Sequence, residues 1–269
     1  MSRSHAPENW WRTEMGASTP TSITVAGHDL ATELMGQVTL SQLAFRFVAG
    51  RFPTVGEARL FDAVLVSLAD HGITPSVLAA RLTYVGAPEA LQGAVAAGIL
   101  GGGSVFLGVA ENTARFLDEI VSGVEDVSDD GALRAAAAEA VAAGRARGER
   151  TPGLGHPVHK ETDPRVPRMY ELATELDLLG PRLRALELVA DVSAEQTGRR
   201  LPINGAGVAG AALADLGFDR RIIRGFTLLA RTAGILGHLA EEMHQSMGMP
   251  LWQDLERRAS EPSTDGGRA

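Results

Sequence analysis

Gly153-Leu-Gly-His-Pro-Val-His-Lys-Glu-Thr-Asp-Pro-Arg165 is the stretch on which the reading of this chain turns. His156 stands between Gly155 and Pro157, a setting that rules out an ordinary helix interior. Glycine lets backbone come close to a ligand, imidazole exchanges a proton near neutral pH, and guanidinium can grip a carboxylate with two prongs. His156 and Arg165 are therefore the first candidate site residues.

Outward from this loop the pattern is helical almost throughout. Alanine is abundant, only 5% of residues are aromatic, and β-branched runs are few. Thr54-Val-Gly-Glu57 is a capping box that opens a helix running to about Ala69. Thr74-Pro75 places proline at a first helical position, and Gly86 closes that segment. Further helices fit 88–100, 104–122, 131–147, 165–178, 181–197, 205–216 and 219–247, with Gly123, Gly198 and Gly217 as stops. Residues 22–26 read as one short strand of a hairpin. The fold class is all-α. Residues 1–20 read as a flexible N-terminus, 21–256 as the folded domain with a smaller part near 151–200, and 257–269 as a disordered polar tail. Small residues at 94–98, 135–143 and 205–212 favour close helix packing, and Leu228, Leu229, Ile235, Leu236 and Leu239 read as core or interface.

Composition narrows the functional classes. With no cysteine, disulfides, thiolate metal sites and a cysteine nucleophile are excluded. A net charge of −8 disfavours a general nucleic-acid face. The N-terminus has no apolar core of a signal peptide, and the apolar stretches are interrupted by Gly, Asp or Arg, so no membrane span and a cytoplasmic location are expected.

Seven histidines are present. His5, His28 and His244 have no informative context. His71, in Asp70-His71-Gly72, could simply face a helix C-terminus, and His238 could pair with Glu242 four residues on. Gly101-Gly-Gly-Ser104 precedes a helix, where amides can receive an anion, but it is not a Walker loop. Gly153-x-Gly155 lacks the third glycine and the strand of a dinucleotide fingerprint. No His-Glu-x-x-His, acidic ladder or Gly-x-Ser-x-Gly is present, so metal and serine-hydrolase readings lack support.

The loop also resembles the Gly-x-Gly-His … Asp-Pro-Arg signature of the citrate synthase superfamily, nearest its short citryl-CoA lyases and the lyase module of ATP-citrate lyase. Asp70-His71-Gly72 with Ser76, Gly103-Ser-Val-Phe106-Leu-Gly108, Asn204, and Arg231-x-x-Gly234-x-x-Gly-His238 are similar to further family segments in the same order. The likeness covers roughly residues 20–256. It implies a helical fold with a cleft, a homodimer or higher assembly, and coenzyme A as a substrate or product thioester. It further implies that His156 exchanges the substrate hydroxyl proton and that Arg165 and Arg231 hold carboxylates with His71 beside them. Backbone at Pro152, Gly153 and Gly155 would meet the CoA adenine, and Asn204 is assigned to the thioester carbonyl. No metal is expected.

Three positions depart from the family pattern. Phe106 replaces the histidine that stabilises the acetyl-CoA enolate in synthases. Ala206 stands where the family has its catalytic aspartate, and Met249 precedes Pro250 where an arginine is frequent. The implied reaction is cleavage, or reverse condensation, of a 3-hydroxy-3-carboxyacyl-CoA to acetyl-CoA and a 2-oxo acid such as oxaloacetate. A related acyl-CoA lyase or hydrolase with altered chemistry, and an inactive CoA-binding partner subunit, are the alternatives.

Overall fold

Two reciprocal hydrogen bonds begin α2, Val55–Ala69, as the capping box predicts: Thr54 N–H donates to Glu57 and Glu57 N–H donates to Thr54 Oγ1. The computed structural model describes residues 13–261. Contacts divide the chain into two units, Met1–Asp62 and Ala63–Ala269, with α2 starting in the first and ending in the second.

In the first unit, β1 (Gly16–Ser18), β2 (Ile23–Val25) and β3 (His28–Asp29) form a small antiparallel sheet in that order. Asp29 then caps a π-helical turn, Leu30–Leu34, by accepting from the Ala31 and Thr32 amides. Helix α1 spans Leu40–Ala49, opened by a Thr39–Gln42 capping box and closed by left-handed Gly50. Phe45 and Phe61 meet edge to face at 5.5 Å inside this unit.

The second unit is helical: α3 (Pro75–Gly86), α4 (Leu91–Leu107), α5 (Val109–Ser122), α6 (Asp130–Ala146), α7 (Arg165–Glu175), α8 (Pro181–Thr197), α9 (Gly205–Asp215), α10 (Arg220–His244) and α11 (Gly248–Ser260). Helix α3 packs along α4, α5 along α9, α6 along α8, and α10 crosses α3, α4 and α5. Small residues make these approaches possible. A Cβ at Gly98 would sit 2.8 Å from Ile235 Cδ1 and 3.0 Å from Ala80 Cβ. Ala80, Ala94, Ile235 and Leu239 close that core, whereas Leu229 and Leu236 are exposed.

The run Leu91–Ser122 is apolar and long enough to cross a membrane by length and composition alone. It is two helices, because Gly103 turns to φ +50° and Gly108 starts α5. The Gly101-Gly-Gly-Ser104 segment therefore lies inside the kinked end of α4, where a Cβ on Gly101 would meet Ala79 at 2.8 Å. Packing accounts for Gly101 and Gly102, the latter against Leu107, and the positive φ accounts for Gly103.

Several boundaries differ from the sequence expectation. Within the supposed flexible N-terminus, residues 16–18 pair as β1, since Val25, Thr24 and Ile23 offer partners. Residues 1–12 and 262–269 lie outside the described residues. Helix α1 has no counterpart in the expectation. The long last helix ends at His244 and a new one, α11, runs to Ser260, so residues 257–260 are helical rather than tail. The reason is tertiary. The Glu242 carboxylate accepts from the Met247 and Gly248 amides and so caps α11 with a residue of the preceding helix. Pairing of Arg257 and Arg258 with Asp254 then supports its last turns.

Candidate functional site

The loop between α6 and α7 owes its shape to two left-handed glycines, Gly153 (φ +81°) and Gly155 (φ +83°). Between them Leu154 makes a short antiparallel bridge to Ile203. Asn204 N–H donates to the Gly153 carbonyl at 2.9 Å, and Gly155 N–H donates to the Pro202 carbonyl at 2.7 Å. Asn204 also caps α9. Its Oδ1 accepts from Gly207 N–H at 2.8 Å and its Nδ2 donates to the Gly155 carbonyl at 3.0 Å. Gly207 has to be glycine, because a Cβ there would lie 2.7 Å from Gly153 Cα.

This frame delivers His156. Its Nδ1 accepts from the amides of Val158 (3.1 Å) and His159 (3.0 Å). An acceptor of two N–H groups carries no hydrogen, so the neutral ring holds its hydrogen on Nε2 and presents a donor. His159 stacks on His156 with centroids 4.5 Å apart, and His71 approaches from the end of α2 at 5.0 Å. Burial, opposed by Asp163 and reinforced by His159, His71 and Arg165, pushes the His156 pKa below its ordinary value.

Arg165 begins α7 beside this ring. Its Nε and Nη2 donate to Asp163 at 2.9 and 2.7 Å, and its Nη1 donates to the Ser67 carbonyl at 3.2 Å. Asp163 is fully buried and also accepts from Gly205 N–H at 2.8 Å. Burial works against its charge. The Arg165 guanidinium and the Gly205 amide outweigh that and hold its pKa at about 2. A Cβ on Gly205 would overlap the Arg165 guanidinium.

Arg231, on α10, is 8% exposed, and its Nε and Nη1 have no partner among the described residues. Asp70 is 3.9 Å away, too far for a hydrogen bond. Burial lowers the Arg231 pKa; Asp70 opposes this and Arg165 adds to it. An under-bonded buried cation of this kind is built to receive an anion, since donors left unsatisfied are costly. Asp70 in turn accepts from His238 Nε2 (2.9 Å) and Gly72 N–H (2.8 Å), which shapes the turn carrying His71. His238 Nδ1 meets Arg81 Nη2 at 3.0 Å. Arg81 is buried against Glu242 at 2.8 Å and also pairs with Glu241.

The structure thus brings His71, His156, Arg165 and Arg231 into one region of the second unit and gives several of the assigned residues protein partners. The Arg165 fork grips Asp163, so a substrate carboxylate would meet only its remaining hydrogens. Asn204, assigned to the thioester carbonyl, commits its amide to the cap and the Gly155 carbonyl and so holds the loop that carries His156. The Gly153 carbonyl and both backbone groups of Gly155 already have protein partners, and Gly153 is buried, which leaves the Pro152 carbonyl of the three assigned residues open to a ligand. His238 pairs with Asp70 and Arg81, not with Glu242. Sequence reasoning missed Asp163, Arg81 and His159. Only Asp163 had a local signal, an acidic residue two positions before a helix-starting arginine. Phe106 is half exposed, and Ala206 lies in the first turn of α9.

His71, His156 and His159 each offer a nitrogen within 4.8 Å of the others, a spacing that invites a metal reading. A neutral His156 bound through Nε2 would need hydrogen on Nδ1, against two amide donors, and Arg165 and Arg231 add positive charge nearby. The donor set fits a cation poorly. A separate depression of about 420 Å³ between α6 and α8 contains none of these histidines, and its arginines, Arg184 and Arg200, are paired with Asp130 and Asp191.

Residues 12–257 match the family model "Citrate synthase, C-terminal domain". The chain belongs to the citrate synthase family. Among solved structures, citryl-CoA lyase from Hydrogenobacter thermophilus is similar with a TM-score of 0.82 and 31% identity, over 96% of each chain. ATP citrate lyase from Methanothrix soehngenii, in complex with citrate and coenzyme A, shares the fold at a TM-score of 0.70 and 19% identity, covering 96% of this chain and 41% of that one. Citrate synthase 2 of Bacillus subtilis (strain 168) is 25% identical over 196 residues, 72% of this chain. The chain spans about half the length (49%) of that curated relative.

Proposed function

We propose that this family member cleaves, or in reverse forms, the carbon–carbon bond of a 3-hydroxy-3-carboxyacyl-CoA, with citryl-CoA giving acetyl-CoA and oxaloacetate. The observation that carries the reading is Arg231, a buried guanidinium with two unpartnered nitrogens beside a histidine cluster. A carboxylate supplies the acceptors it lacks. The similarity to a citryl-CoA lyase over nearly the whole chain supports the CoA thioester as the other half of the substrate.

In this reading the carboxylates sit on Arg231 and the outer hydrogens of Arg165, with His71 adjacent. His156 directs Nε2–H at the substrate hydroxyl. The Pro152–Gly155 loop meets the adenine with the Pro152 carbonyl. With Ala206 and Phe106 the acetyl enolate, which forms in either direction, lacks the carboxylate and the histidine of the family pattern, so its methyl proton is exchanged with water. If citryl-CoA is not the substrate, a related thioester lyase or hydrolase is the second reading, again favoured by Ala206.

Incubation with citryl-CoA, with oxaloacetate and acetyl-CoA measured separately, is the test. Release of both in equal amounts is the expected result. Calorimetric binding of CoA and oxaloacetate with no turnover would leave a binding subunit instead. The exposed Leu100, Val105 and Phe106 of α4 are the surface we assign to a second copy of the chain. Light scattering giving a mass near 28.3 kDa would remove that assignment.

A further inference from the structure

We propose that His159 is the proton acceptor of this site, and that His156 acts only as a donor. The inference rests on the lyase reading, because cleavage needs a base for the substrate hydroxyl. His156 cannot be that base in its neutral form: the two amides on Nδ1 keep its hydrogen on Nε2. To accept a proton it would have to place an N–H against two N–H donors.

The carboxylates of the site are no better placed. Asp163 is closed by Arg165 and the Gly205 amide, and Asp70 by His238 and the Gly72 amide. Two imidazoles remain, His71 and His159, neither with a side-chain hydrogen-bond partner among the described residues. His159 rides on the same loop as His156. Its ring is stacked on His156 at 28°, and its amide is one of the two that hold Nδ1. One oxygen can therefore accept from His156 Nε2 while donating its hydrogen to a His159 nitrogen. His71 meets His159 at 6.3 Å, across from that pair.

The charged groups around the histidine cluster come from several elements. Asp163 on the loop and Arg165 on α7 act on His156, Lys160 donates to the His156 carbonyl, and Arg231 on α10 senses Arg165 and Asp70 at the end of α2. Proton flow balances as follows. The hydroxyl hydrogen passes to His159, the O–H electron pair becomes the carbonyl π bond, and the carbon–carbon bond breaks. Its electrons form the thioester enolate, whose carbon takes a proton from water. The His159 imidazolium then neutralises the hydroxide left behind.

His159→Gln tests this, since it keeps the backbone amide that holds His156. Expected is a fall in kcat of about 100- to 1,000-fold, with the acid limb of kcat/KM against pH abolished and CoA affinity unchanged. His71→Gln should instead raise the KM for the hydroxyacyl-CoA and keep the acid limb. Ring nitrogen NMR of the unaltered protein should find hydrogen on Nε2 of His156, a readout that needs no turnover. A rate within about threefold of the parent with the acid limb intact overturns the role of His159 alone. The same holds if the limb is lost only in His71→Gln, or if hydrogen is found on Nδ1 of His156. Absence of turnover in the unaltered protein overturns the lyase reading and this role together.

Discussion

Asn204 donates from Nδ2 to the carbonyl of Gly155 at 3.0 Å, one residue before the histidine on which the site is centred. Its Oδ1 meanwhile accepts from Gly207 N–H. A single amide thus ties the start of α9 to the α6–α7 loop. The position of His156 is therefore inherited from a helix cap.

Asn204→Ala should remove both bonds and lower stability by about 2 kcal/mol, roughly one each for the cap and the tether. Asn204→Asp keeps the cap acceptor but sets a carboxylate against the Gly155 carbonyl, and should lose activity while melting closer to the parent. Thermal unfolding and turnover on the two variants check this. A direct thioester role for Asn204 would predict equal activity losses with no change in melting for Ala.

Arg231→Met should leave stability unchanged or raise it, because the buried guanidinium has two unpartnered nitrogens. The same change should weaken oxaloacetate binding about 100-fold, the effect of losing two charge-assisted hydrogen bonds. Urea unfolding and calorimetry measure the two effects separately. A strongly destabilised variant would show that Arg231 is a structural cation.

Arg165→Lys should destabilise by about 3 kcal/mol, because an ammonium cannot serve both oxygens of buried Asp163 and the Ser67 carbonyl together. A loss of substrate affinity with full stability would mean that its fork serves the ligand instead. Gly205→Ala should reproduce the defect, since its methyl group displaces the same guanidinium.

Acid should unfold this protein through Asp163 and Glu242. Both are buried, which works against their charge. Arg165 and Gly205 around Asp163, and Ser246, Arg81 and two amides around Glu242, still hold each at about 2. In the unfolded chain these groups titrate near 3.8 and 4.5. Between those values and pH 2 the unfolded chain binds more protons, so stability is full above about pH 4.5 and falls as pH drops toward 2. Glu242→Gln should flatten that slope, as read by denaturant unfolding across the range. An unchanged slope would exclude Glu242 as a source.

The helical fold and the identity of the loop could be read from the chain alone because their causes are local. Proline after Thr74, the Thr54–Glu57 box, and the Gly-His-Pro setting of residue 156 all act within a few positions. Asp70, His71, Arg165 and Arg231 were likewise visible as residues. What each side chain binds was decided by tertiary structure. Arg165 grips Asp163 because Gly205 leaves space above it, and α11 starts where Glu242 caps it from the preceding helix. His156 became a donor because two amides of its own loop turned onto Nδ1. His159 gained meaning only once it was stacked on that ring. Hydrogen-bond capacity is a property of a residue type, but the partner that uses it up is fixed by packing across the chain, which no local pattern encodes.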